Sequence, residues 1–169
     1  ARALVGLPRG SPSARAGTFV PPKKTVTYLI TITVDSTMVA YLVHQMGLRP
    51  LAVHLDNGWD AELAVHNIEH TLKVLGIDLL THVIDWEEFR DIQLSFFRAS
   101  VANIEVVTDH AIMAILFQTA AKHRIKYVIS GGNVATEAIM PASWMYDYRD
   151  LRHLVSIHRR FGSLPMRSL

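Results

Sequence analysis

The 169-residue chain has no cysteine. That excludes a disulfide framework, a thiolate zinc site and a cysteine nucleophile within these residues, and an intracellular protein is the expectation. Long apolar runs are also missing. The longest apolar helix candidate, "AIMAILFQTAA", is interrupted by Gln118 and is too short to span a bilayer. No signal-peptide pattern opens the chain, and residue 1 is not methionine, so a fragment or processed product is expected. No Gly-x-Ser-x-Gly elbow, Walker-type GK[ST] or spaced carboxylate pair argues for a hydrolase, a P-loop kinase or a glycosidase.

Acidic residues are absent from positions 1–24, a Pro/Gly/Ser-rich lead-in with five Arg and Lys residues. The net charge of +2 therefore hides a body with 12 basic and 15 acidic residues. A slightly acidic body does not offer a nucleic-acid surface. The lead-in reads as a flexible arm, and 25–169 as one α/β domain whose sequence is expected to continue past Leu169.

Short β-branched runs alternate with longer amphipathic segments. Strands are expected at 25–33, 50–56, 78–84 and 126–130. Helices are expected from Ser36 or Thr37 to Met46, and at 61–75, 86–98 and 109–124. Past Pro141 a loop feeds a basic amphipathic helix. Such alternation implies right-handed crossovers and a parallel sheet with helices on both faces.

Ligands of such sheets bind beyond the carboxyl ends of the strands, where three polar loops fall. In the first, Asp35-Ser36-Thr37 precedes a helix N-terminus, where amides and dipole attract an anion such as pyrophosphate. Ser36 and Thr37 add hydroxyl donors, and Asp35 is a ligand for a divalent ion bridging phosphate oxygens. The same residue types are also ordinary helix caps. The second loop, Asp56 to Asp60, either offers a backbone edge to a base or only turns the chain. In the third, Gly131-Gly132 directly after a strand can form an amide nest, and Glu137 supplies a second carboxylate for a shared metal; a plain loop is the rival reading. Asp109-His110 is a cap or a substrate contact. Trp144, Tyr146 and Tyr148 line a ring pocket or cover the core. His66 and His70 have the spacing of a helical metal pair, but without a third ligand an exposed helix face is the better reading.

Together "VDST", "AVHLDNGWDAELAVHNIE" and "SGGNVATEAIMPASWMYDYRDLRHL…IHRRFG" resemble the N-acetyl sugar amidotransferases, PP-loop ATP-pyrophosphatases of bacterial surface-polysaccharide (lipopolysaccharide) synthesis. The resemblance covers roughly residues 25–165. It implies a Rossmann-like, five-stranded sheet of the adenine nucleotide alpha hydrolase type that binds ATP and Mg. It also implies cytoplasmic activation of a nucleotide-linked or lipid-linked N-acetyl sugar for attack by ammonia from a separate glutaminase subunit. On this resemblance Asp35 and Glu137 hold the metal and act with Ser36 in catalysis. Thr33, Ser36, Thr37, Asp56, Gly131, Gly132 and Asn133 surround the nucleotide, and His110, Trp144, Tyr146 and Asp147 face the sugar. Where the family has Ser-Gly-Gly, this chain has Thr31-Ile32-Thr33. That departure bears on catalysis rather than on fold, and leaves a non-catalytic scaffold as the alternative. A third reading, tRNA modification, fits poorly with an acidic body that lacks thiolation cysteines.

Overall fold

The computed structural model describes residues 28–31, 36–132, 141 and 147–167. The basic lead-in therefore lies outside the described residues. Four strands form one parallel sheet: β1 (Tyr28–Thr31), β2 (Pro50–Asp56), β3 (Asp78–Val83) and β4 (Tyr127–Ile129), in the order β3-β2-β1-β4. The helices are α1 (Thr37–Gln45), α2 (Glu62–Leu75), α3 (Trp86–Arg98), α4 (Val106–His123) and α5 (Leu151–Phe161).

β2 shows why the sheet is covered on both sides. Its apolar run has no polar face to give to water, and successive side chains point to opposite sides. Ala52 joins Ile30, Ala40, Ile68, Leu72 and Ile77 under α1 and α2. Leu51 and Val53 join Ile115, Leu116 and Ile125 under α4. A third cluster lies off the sheet, where Phe89, Ile92 and Phe96 of α3 meet Val106 and Val107 of α4 and Leu154 of α5. This third core fixes the basic amphipathic helix that the sequence places past Pro141.

Helix ends follow local chemistry in most places. Gly76 ends α2 in the left-handed region at φ 64°, with Ile77 N–H donating to Leu72 O at 2.9 Å. Asp85 caps α3, accepting from the amides of Glu87 and Glu88. Two expectations are corrected. Ser36 occupies the N-cap of α1 in helical geometry and makes no side-chain capping bond. Asp109 does not cap α4, because the helix already starts at Val106, drawn back one turn by burial of Val106 and Val107.

Two buried carboxylates on α3 hold the segment after α5. Asp91 Oδ2 accepts from the amides of Ser163 (2.7 Å) and Leu164 (2.8 Å), and Glu88 accepts from the amide of Arg167. Burial alone would raise the Asp91 pKa. The amides of Leu164 and Ser163, with the charges of His158 and Arg98, outweigh burial and hold it below its usual value. A carboxyl depressed in the folded state stabilises fully above its unfolded value, and the contribution fades as pH falls through the folded one. Asp91→Ala is expected to cost about 2 kcal/mol at neutral pH, by orphaning two amides. It should cost progressively less on acidification below about pH 4. Urea denaturation of both proteins across that range measures the difference.

Candidate functional site

The strand order places a topological switch point between β1 and β4. From β1 the chain turns one way to β2 and β3, and β4 pairs on the other side. A crevice opens at such a point beyond the strand ends. Ser36, which precedes α1, is buried there. Gly131, two residues after β4, lies against it: a Cβ on Gly131 would stand 2.7 Å from Ser36 Oγ, 3.1 Å from its Cα and 3.2 Å from its Cβ. Only a residue without a side chain lets the two loops approach this closely. Ser130 Oγ accepts from the Gly132 amide at 3.1 Å, tightening the turn that carries both glycines.

The first turn of α1, like that of α5, contains no acidic residue, whereas α2, α3 and α4 carry Glu62, Glu87, Glu88 and Asp109 there. The first-turn amides of any helix lack partners within it, and the dipole adds positive potential. Thr37 opens this helix. Thr33, Asp35, Asn133, Glu137, Trp144 and Tyr146 lie outside the described residues. The proposed metal pair is therefore not among the positions described.

The second loop is built on side chain to backbone bonds. Asp56 Oδ1 accepts from the Gly58 amide at 3.0 Å, and Asn57 Oδ1 from the Trp59 amide at 3.1 Å. His54, buried on β2, points Nε2 at Asp60 Oδ2 across 3.3 Å and fastens the far end of the turn. Asp56 therefore has a structural task whatever else it binds.

His110 lies in the N-terminal part of α4, with Nδ1 2.7 Å from Tyr148 O. That bond ties the 147–150 turn to α4 and brings two substrate-side candidates, His110 and Asp147, into one neighbourhood. Asp147 is engaged by Arg149, whose side-chain hydrogen bonds at 3.0 and 3.3 Å, joined by its amide, hold the carboxyl below its usual pKa. The His66 and His70 rings stack 6.3 Å apart. Among the described residues no group of three metal-ligating side chains gathers around them or elsewhere.

Two functional candidates escape a sequence reading. His54 is one, visible only as a histidine at an inward position of an apolar strand. Trp59 is the other, whose partners Gln93 and Trp86 lie far along the chain. Concavities among the described residues include one of about 300 Å³ between the end of β3 and α4, lined by His82, Asp85, Ala114 and Gln118. Another, of about 510 Å³, lies beside His158 and Gly162. Among the described residues no helix is long and apolar enough to cross a membrane.

No protein-family profile and no curated protein matches the chain. Solved structures do. NMN synthetase from Francisella tularensis superposes with a TM-score of 0.51 at 17% identity, over 65% of this chain and 47% of that one. NH3-dependent NAD synthetase from Campylobacter jejuni gives 0.49 at 15% identity, over 66% and 49%. The chain thus spans about half the length of either synthetase. At these identities the likeness to NMN synthetase is one of fold: the chain has a Rossmann-like α/β architecture, with the parallel sheet covered on both faces that its strand–helix alternation leads one to expect.

Proposed function

We propose that the chain is the ATP-dependent synthetase domain of an amidotransferase acting on an N-acetyl sugar. The observation that carries the reading is the side-chain-free approach of Gly131 to Ser36 at the switch point. Two loops with amide and hydroxyl donors meet there, at a helix whose first turn carries no acidic residue. The proposed donors to a polyphosphate are the first-turn amides of α1 with Ser36 and Thr37 on one loop and the Gly131–Gly132 turn on the other, where the Gly132 amide already donates to Ser130 Oγ. Asp35 and Glu137 are the proposed magnesium ligands, and Thr33, Asp56 and Asn133 the proposed remainder of the nucleotide surround.

ATP held there would supply a leaving group, so that an acetamido oxygen could be adenylated with loss of pyrophosphate and ammonia could then displace AMP to leave an acetamidino group. The chain's part is to hold charge: donors at the α1 end stabilise the pyrophosphate as it separates, and a fixed site spares their reorganisation. His110, Trp144, Tyr146 and Asp147 are the proposed sugar contacts. Because the chain has no thiol, a separate glutaminase is the proposed ammonia source, and the cytoplasm the proposed compartment.

Titration calorimetry with Mg-ATP tests the reading. Binding that disappears on Ser36→Ala with Asp35→Asn is the expected result; no binding by the parent chain overturns it. The second reading, a scaffold that binds a partner without chemistry, is favoured by Thr31-Ile32-Thr33 in place of Ser-Gly-Gly. It predicts no pyrophosphate release under any substrate condition.

A further inference from the structure

Trp59 is 62% exposed, yet it is held from three directions. Its indole Nε1 donates to Gln93 Oε1 on α3 at 2.9 Å, and its amide donates to Asn57 Oδ1. Its ring meets Trp86 edge-on, with centroids 5.5 Å apart and planes at 75°. Gly58 makes this arrangement possible. It takes φ +78°, and a Cβ there would lie 2.9 Å from Trp86 Cε3. Trp59 belongs to none of the three core clusters. A large apolar ring kept in water, with its orientation locked by specific bonds, is a prepared contact surface rather than packing.

The surroundings select the ligand. Asp56, Asn57, Asp60 and Glu62 lie on the turn and the adjoining helix start, where residues 50–72 contain no lysine or arginine, and on α3 Glu87 pairs with Arg90 at 4.0 Å. The turn side of the rim is acidic. Its carboxylates and amides are acceptors and donors for hydroxyl groups. Trp86 stands edge-on rather than parallel, so the pair makes a single-sided ledge and not the two-walled slot that encloses a flat base. A pyranose uses one indole face, laying its C–H side on the electron-rich ring while its hydroxyls reach the rim.

We infer that the Trp59–Trp86 ledge binds the uncharged sugar ring of the substrate. The inference rests on the synthetase reading for its geometry. β2 is hydrogen-bonded to β1, so this turn springs from the strand beside the one leading to Ser36, roughly 5 Å away across the sheet. The ledge and the Ser36–Gly131 approach therefore leave the same edge of the sheet, the first with its partners on α3 after β3 and the second between β1 and β4.

Saturation-transfer NMR on the full chain tests the ledge, with free N-acetylglucosamine, N-acetylgalactosamine and N-acetylmannosamine as probes and adenosine as the competing ring. At least one saccharide is expected to bind with roughly millimolar affinity, its ring C–H protons taking the strongest saturation. Trp59→Ala should weaken that binding at least tenfold while Mg-ATP affinity, read by calorimetry, changes less than threefold. Trp59 lies outside the core, so the variant should keep the parent circular dichroism. Silence from all three saccharides, or a saccharide signal indifferent to Trp59→Ala, overturns the inference. So does a Trp59-dependent signal from adenosine alone. If the parent binds a saccharide through Trp59 but never binds Mg-ATP, the ledge stands and the synthetase reading falls.

Discussion

Gly131→Ala should lower Mg-ATP affinity at least tenfold and cost about 1–3 kcal/mol of stability, the usual range for overpacking. The new methyl would stand 2.7 Å from Ser36 Oγ, which a rotamer change can relieve. It would also stand 3.1 Å from Ser36 Cα and 3.2 Å from its Cβ, which no rotamer change moves. The loops after β1 and β4 must then part by a few tenths of an ångström, and donors placed on opposite sides of one anion lose their common focus. Gly131→Val should be worse in both respects. A Ser36→Gly, Gly131→Ala double variant separates packing from binding. It removes the hydroxyl and Cβ contacts, so stability should return in part, while nucleotide affinity stays low because a donor is gone. Denaturant unfolding and calorimetry on the same four proteins measure both. If Gly131→Ala binds nucleotide like the parent, the close approach is only a packing detail of the sheet edge.

Legibility differed by the range of the interactions involved. β2 and α3 can be placed from sequence to the residue because each carries its own signals: a short apolar run interrupted only by His54 and closed by Asp56 in the one, and in the other the capping Asp85 followed by Glu87 and Glu88. Gly47 and Gly76 mark helix ends for the same local reason, both with positive φ. α4 is misjudged at its start because Val106 and Val107 look strand-like until α3 and α5 bury them. Its end carries no glycine. Arg124 takes the left-handed position instead, at φ 55°, a strain that no sequence pattern announces.

The site divides in the same way. Strand–helix alternation is enough to place polar loops at the carboxyl ends of the strands. It does not give the strand order, and only the order makes Ser36 and Gly131 neighbours. Asp91 accepts bonds from residues 72 and 73 positions away, and Trp59 is anchored 34 positions away at Gln93. Nothing in a local window distinguishes such a carboxylate or indole from an ordinary surface residue. Conversely, Ser36 has the composition of a cap and does not serve as one. Its burial against Gly131 at the switch point is a tertiary fact that the local sequence does not show.

The double change Ile32→Gly, Thr33→Gly should tighten Mg-ATP binding by roughly one to two orders of magnitude. These positions lie outside the described residues, and the expectation comes from chemistry and the family resemblance. Where the amidotransferases carry Gly-Gly, this chain has two β-branched residues. A phosphate-cradling turn asks its glycines for left-handed backbone, which costs any other residue about 1–2 kcal/mol. Two such residues amount to about 2–4 kcal/mol, and each ~1.4 kcal/mol is a factor of ten in affinity. The glycines should lower fold stability at the same time, because they add freedom to the unfolded chain. Tighter binding with a weaker fold is therefore the signature to seek in calorimetry and urea denaturation. Adding Asp35→Asn to the glycine variant should remove the magnesium-dependent part of the gain. If the glycine variant binds nucleotide no better than the parent, the loop is not limited by its missing glycines. The scaffold reading then gains over catalysis, since the chain would have left its nucleotide behind for reasons lying outside this turn.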